Sequence, residues 1–191
     1  MAVTTTLYLV RHARSAPDFS LADSEWPLSA DGETQAARLV EQLRDVAATR
    51  LIASPYRRAV DTLRPLSRDI GLPIRIEPDL RERKLRDGPI DNWDSVMRGL
   101  WADLDARLPN GESGTDCRLR FTACLTSLAR ELSGETLVVG SHGNAIALFL
   151  NGLDAAFGHD AWKRMRNPDV FRLHYRNERW KLDADYAFDA H

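Results

Sequence analysis

Residues 4–15 read Thr-Thr-Thr-Leu-Tyr-Leu-Val-Arg-His-Ala-Arg-Ser. β-Branched and aliphatic side chains fill 4–10 without a charge, which predicts a buried strand, and the run stops at Arg11 and His12, the opening of a polar loop. A strand with no polar face belongs to a sheet covered on both sides, the usual setting of parallel strands joined by helices. In such sheets ligands gather at the carboxyl ends of strands, so Arg11 and His12 stand where chemistry is expected.

Outward from this strand the chain alternates. Ser29 reads as an N-cap, and Ala36, Leu39, Val40, Leu43 and Val46 follow at helical spacing to about residue 48. A short strand is predicted at 51–53. Ser54 and Pro55 then suit N-cap and N1 of a helix that Pro65 ends or kinks. A third strand falls near 73–77, and 78–89 is irregular and dense in charge. Helical spacing of Trp93, Met97, Leu100, Trp101, Leu104 and Leu108 predicts a helix over 92–108, closed by Pro109, Asn110 and Gly111. A helix over 115–132, an uncharged strand over 136–139 and a helix over 144–150 follow. The last strand–helix turn carries Gly140, Ser141, His142 and Gly143. Runs at 170–175 and 179–182, flanking Asn177 and Glu178, form a hairpin. The pattern predicts a three-layer α/β/α sandwich with a mainly parallel sheet, built as one domain over 1–191.

Composition narrows the function classes. The 191 residues are 43% hydrophobic, enough to cover a sheet, and their formal net charge of −2 argues against a nucleic-acid binder driven by bulk charge. Residues 1–10 contain no basic leader, and the apolar run at 7–10 is too short to span a membrane, so the chain reads as cytoplasmic. Cys117 and Cys124 would sit about 10 Å apart on one helix, beyond disulfide reach, in a stripe with Phe121 and Leu128 that reads as core. The Gly-x-Ser-x-Gly elbow, the Gly-x-Gly-x-x-Gly fingerprint and the Walker motif are all absent, which removes serine esterases and the common nucleotide folds.

Three predicted strands thus end in reactive residues: Arg11-His12, Ser54-Pro55-Tyr56-Arg57-Arg58 and His142-Gly143. Residues 7–15 resemble the strand and Arg-His-Gly loop of the histidine phosphatase superfamily, which includes the cofactor-dependent phosphoglycerate mutases. Further motifs follow in the family's order. Leu28-Ser29-Ala30-Asp31-Gly32 with Gln35-Ala36 is similar to Leu-Thr-x-x-Gly-x-x-Gln-Ala, and Ser54, Arg58, Ala59 and Thr62 to Ser-x-x-x-Arg-Ala-x-x-Thr. Leu80-Arg81-Glu82 matches the acid-bearing segment, Gly111-Glu112-Ser113 a frequent turn, and Ser141-His142-Gly143 the second histidine.

The resemblance implies phosphomonoester hydrolysis through a phosphohistidine on His12. Arg11 and Arg58 would hold phosphoryl oxygens, His142 would stabilise their charge, and Glu82 would protonate the leaving oxygen. The residue types suit the work. Arginine is always charged and its planar fork fits phosphate oxygens, while imidazole is nucleophilic at neutral pH once its other nitrogen is anchored. Glu82 must carry a proton as the leaving oxygen departs, which burial or nearby phosphate charge favours. Two Arg and two His suffice for positioning and electrostatics, so no metal and no cofactor are expected.

Ala13 replaces the family's glycine, Arg14 stands where glutamate is common, and Asp18 takes the place of a phosphate-contacting asparagine, repelling a dianion unless it points away or pairs with Arg14. After Glu82 the family's Gly-x-Trp-Glu-Gly stretch is missing, and 83–116 is expected to form a variant lid. Arg83, Lys84, Arg86 and Arg98 read equally as a second anion subsite or as a solvated face. Trp93, Met97 and Trp101 read as core before pocket, and Asn144 as a helix cap before a phosphate ligand. His159, His174 and His191 lack a partner motif. Phosphoglycerate mutase-type transfer is the alternative to hydrolysis, and a phosphate- or phosphoprotein-binding module without turnover is the other. The short 83–141 span leaves the site open to water and favours hydrolysis. The expected partner is a small phosphorylated substrate rather than nucleic acid or membrane, and the terminal hairpin's edge offers a homodimer contact.

Overall fold

The computed structural model describes residues 3–188; His191 and the ends of the expected 1–191 unit lie outside them. Strands β1 (Thr5–Arg11), β2 (Arg50–Ala53), β3 (Ile74–Ile76), β4 (Thr136–Ser141), β5 (Asp169–Arg176) and β6 (Arg179–Leu182) form one sheet in the order β3-β2-β4-β1-β5-β6. The first four are mutually parallel, and β5 and β6 close one side antiparallel. Helices α1 (Ala30–Leu43), α2 (Arg57–Ile70), α3 (Trp93–Ala102), α4 (Gly114–Glu131), α5 (Gly143–Leu153) and α6 (His159–Arg164) complete the fold.

Strand periodicity divides the core into two layers. Leu7, Leu9, Leu137 and Val139 pack on α3, α4 and α5 through Met97, Phe121 and Phe149. Tyr8, Val10, Val138 and Leu51 face the other way, against Leu39 and Leu43 of α1 and Leu63 and Leu66 of α2. These are the three expected layers.

Several local expectations give way to tertiary contacts. Pro65 neither ends nor breaks α2, because Leu63 and Leu66 on either side of it are fully buried and hold the helix against the sheet. Ser54 does not cap that helix: Tyr56 is the N-cap, and the Ser54 hydroxyl is engaged elsewhere. α3 stops at Ala102 rather than 108. Asp103 turns its carboxylate onto the Asp105 N–H at 3.0 Å, and the Leu104 carbonyl takes the Thr115 N–H at 2.9 Å, so the chain is drawn back toward α4. The short helix α6 lies in a stretch for which no element was expected.

Two glycines mark close approaches. A Cβ on Gly32 would stand 2.0 Å from the Arg14 carbonyl oxygen, so the start of α1 can rest on the loop after β1 only with glycine there. A Cβ on Gly143 would lie 3.1–3.3 Å from the Arg11 guanidinium. Among the described residues no helix is long and apolar enough to cross a membrane, and no group of three or more His, Cys, Asp or Glu is arranged to hold a metal ion.

Candidate active site

Strand register brings the reactive residues together. Arg11 pairs with Ser141, and Ala53 with Gly140, so β1, β2 and β4 end at one level of the sheet. Backbone bonds extend this alignment by one residue: the His12 N–H donates to the Ser141 carbonyl and the Ser54 N–H to the Gly140 carbonyl, both at 2.9 Å. The loops bearing Arg11-His12, Ser54–Arg58 and His142 therefore meet at one edge, as their sequence order implied.

His12 is oriented by its own loop. Its Nδ1 lies 2.7 Å from the Ala13 carbonyl oxygen, which can only accept, so Nδ1 carries the proton and Nε2 keeps its lone pair. Arg58 Nε donates to that Nε2 at 3.3 Å. Burial, and then the neighbouring charges of Arg58 and Arg11, push the His12 pKa down to about 3 despite the Ala13 contact, so the ring is neutral at ordinary pH. The main chain is fastened too. Asn167 Nδ2 donates to the His12 carbonyl at 2.8 Å, and the Ala13 N–H donates to Thr62 Oγ1 at 2.9 Å. Thr62 in turn donates to the Arg58 carbonyl at 2.7 Å, tying the loop after β1 to the helix that bears the arginine.

The two arginines are held differently. Arg11 Nη1 donates to the Met165 carbonyl at 2.6 Å, and its buried Nε has no hydrogen-bond partner among the described residues. Arg58 is buried, donates to the Asp23 carbonyl, and lies with its guanidinium carbon 4.8 Å from the Tyr56 ring centre and 5.9 Å from that of Trp26. Burial lowers both guanidinium pKa values and Glu82 raises both in return, which places its carboxylate within electrostatic reach of each. Arginine remains charged under such shifts.

His142 is fully buried, with its ring centre 5.2 Å from that of His12 and 4.9 Å from that of Tyr56. Its Nε2 lies 2.7 Å from Ser54 Oγ, and its Nδ1 has no partner among the described residues. Burial, then Arg58, His12 and Arg11, hold its pKa well below the usual imidazole value. Glu82 is no member of a solvated run: its carboxylate takes the Ala145 N–H at 2.9 Å, the Asn144 N–H at 3.1 Å and its neighbour Arg83's N–H at 2.8 Å. The first two belong to the opening turn of α5, where free N–H groups and the helix dipole favour an anion.

Other expectations divide. Asp18 is engaged within its own loop: its carboxylate accepts from the Ser20 N–H and hydroxyl, while Arg14 pairs with Asp31 instead. Arg83 is buried, 3% exposed, and donates to the carbonyls of Glu112 and Ala106. That makes it a staple at the neck of the 83–116 excursion rather than an anion subsite. Met97 and Trp101 are core and Trp93 is exposed; Trp101 also lines a depression of about 540 Å³ with Arg98 and Arg164, a place none of the five expected site residues reaches. The contributions of Asn167, Met165 and Asp23 were not foreseen; two act through backbone carbonyls, which leave no mark on side-chain identity. Thr62 stood in a quoted motif without a role.

Comparison with known proteins gives the family. Residues 7–185 match the model of the histidine phosphatase superfamily, branch 1. A probable phosphoglycerate mutase, GpmB, of Enterobacter sp. (strain 638) is 29% identical over 189 residues, covering 91% of this chain and 86% of its own. A mycobacterial glucosyl-3-phosphoglycerate phosphatase, solved in complex with VO3, superimposes with a TM-score of 0.75 at 25% identity, over 93% of this chain and 96% of its own. A phosphoglycerate mutase from Bacillus anthracis str. Sterne shares the fold with a TM-score of 0.80 at 19% identity, over 95% and 92% of the two chains. With a family match over nearly all its length, the chain belongs to branch 1 of the histidine phosphatase superfamily.

Proposed function

We propose that this protein hydrolyses small phosphomonoesters, with His12 Nε2 attacking phosphorus and water later discharging the phosphohistidine. The observation that carries this reading is the His12 ring itself. It is neutral, its proton is fixed on Nδ1 by the Ala13 carbonyl, and its unprotonated Nε2 accepts from Arg58 Nε at 3.3 Å, a contact that the incoming phosphoryl group replaces. A lone pair held in place beside fixed positive charge is what in-line attack on a phosphate dianion needs.

In the first step the Nε2–P bond forms as the ester P–O bond breaks, and the departing oxygen takes a proton from Glu82. Arg11, Arg58 and His142 face the equatorial oxygens, where charge accumulates. In the second step water attacks phosphorus, the N–P bond breaks back to Nε2, and Glu82 receives the water's proton. The donors on the first turn of α5 favour the carboxylate of Glu82, the form that receives the water's proton in the second step, and in the first step the charge of the bound phosphate dianion is what favours its protonated form. The 83–116 excursion serves as the lid in this reading; its neck is closed by the Glu112 N–H donating to the Lys84 carbonyl at 2.7 Å.

The similarity to GpmB favours a second reading, in which the phosphoryl group returns to a hydroxyl of a bound phosphoglycerate. Rapid-quench measurement of phosphoenzyme decay, with and without 3-phosphoglycerate, separates the two. Hydrolysis predicts decay to inorganic phosphate at a rate the acceptor does not change. Transfer to the acceptor in preference to water would replace the phosphatase reading with the mutase one.

A further inference from the structure

We infer that Ser54 is a positioning residue that sets the proton address of His142: its hydroxyl donates to Nε2, so that the neutral ring presents Nδ1–H to the phosphoryl group at His12. The inference rests on the reading above for what Nδ1–H meets, but not for where the proton is.

The argument is an accounting of hydrogens. Ser54 is fully buried, and its hydroxyl has one proton to give and two lone pairs. The Tyr56 N–H occupies one lone pair, at 3.2 Å. Among the hydrogen bonds of the described residues, the remaining partner of Oγ is His142 Nε2 at 2.7 Å. If Nε2 carried the ring proton, the Ser54 hydroxyl would hold a buried proton with no acceptor, and His142 Nδ1 would be a buried acceptor with no donor. If the serine donates instead, its proton is used and a single donor is left over: Nδ1–H, on a ring edge-on to His12. A buried donor left over beside a nucleophile is suited to an oxygen of the group being transferred.

The neutral state of His142 makes the address matter. Burial and the charges of Arg58 and Arg11 keep the ring unprotonated, so it has one N–H, and the wrong tautomer would turn a lone pair toward phosphate oxygens. Ser54 stands at the end of β2 and His142 at the end of β4, so the strand register delivers the pair.

Long-range 1H–15N correlation on the full chain labelled with 15N-histidine tests this directly; the chain has five histidines, and His142→Gln identifies the relevant signals. At neutral pH, without substrate, His142 is expected as the Nδ1–H tautomer. Ser54→Ala is expected to move it toward Nε2–H and to lower kcat on the order of tenfold, with Ser54→Thr restoring both. An Nε2–H tautomer in the wild-type chain, or an unchanged tautomer in Ser54→Ala, overturns the inference; neither spectrum depends on Ser54→Thr folding. The outcome is also separable from the function proposed above, since the tautomer is read with no turnover.

Discussion

The reaction centre and the rim around it are constructed in different ways. At the carboxyl edge of β1, β2 and β4, His12, Arg58 and His142 are buried, and each is fastened by backbone or by another buried side chain. Around them, the loop from β1 to α1 leaves Phe19 83% exposed, edge-on to Trp26, and the excursion from β3 to α4 leaves Trp93 in solvent and pairs Lys84 with Asp87 at the surface. The centre is fixed by sheet register and has little freedom to vary its chemistry. The excursion sends α3 into the core through Met97 and Leu100, but its outer residues and those of the first loop stand off the scaffold, so they can change the substrate while the reaction stays the same.

Substitutions sharpen this contrast. His12→Ala should lower kcat/KM for any phosphomonoester by at least about 10³-fold, because the attacking atom itself is removed. Steady-state kinetics beside a melting curve would show whether the protein remains folded. Glu82→Gln should cost on the order of 10²-fold with alkyl phosphates and far less with p-nitrophenyl phosphate, whose leaving group needs no proton. An equal loss on both would remove Glu82 from the acid role.

The centre should also report itself in stability. The His12 pKa falls from 6.5 in the unfolded chain to about 3 in the folded one. Between those values the unfolded chain binds more protons, so stability rises with pH across the window and is lost as pH falls, by ~1.4 kcal/mol per pH unit for this one group. His142 acts in the same direction. Urea unfolding of wild type and His12→Asn at pH 6 and pH 5 should therefore show a shallower pH slope in the variant. At the rim, Phe19→Ala should change stability by no more than about 0.5 kcal/mol, as an exposed site does. It should shift KM by a few-fold between leaving groups, with phosphoenzyme decay unchanged. A large effect on that decay would show that the rim is part of the centre after all.

Legibility in the sequence follows the same division. The run 4–12 disclosed a strand and its reactive end because a strand buried on both faces has no choice but to be apolar, and the layers followed from the alternation of such runs with amphipathic helices. Arg11, His12, Arg58, Glu82 and His142 were expected together because ordered family motifs mark them by side-chain identity, and the strand ends and the first turn of α5 bring them to one region. What could not be read depends on contacts between distant segments. Pro65 continues a helix because its neighbours are buried, and Ser54 forgoes a cap because His142, 88 residues away, takes its hydroxyl. Arg83 looked like surface charge among its neighbours, yet it closes the neck of the 83–116 excursion. No local pattern carries that information.

The most direct test is to quench the protein during turnover at mildly alkaline pH, where phosphohistidine survives, and to locate the phosphoryl group by mass spectrometry. Phosphate on the imidazole of His12, absent from His12→Ala and discharged when substrate is exhausted, is the predicted result. Turnover that persists in His12→Ala, or a phosphoryl group trapped on any other residue, would contradict the account.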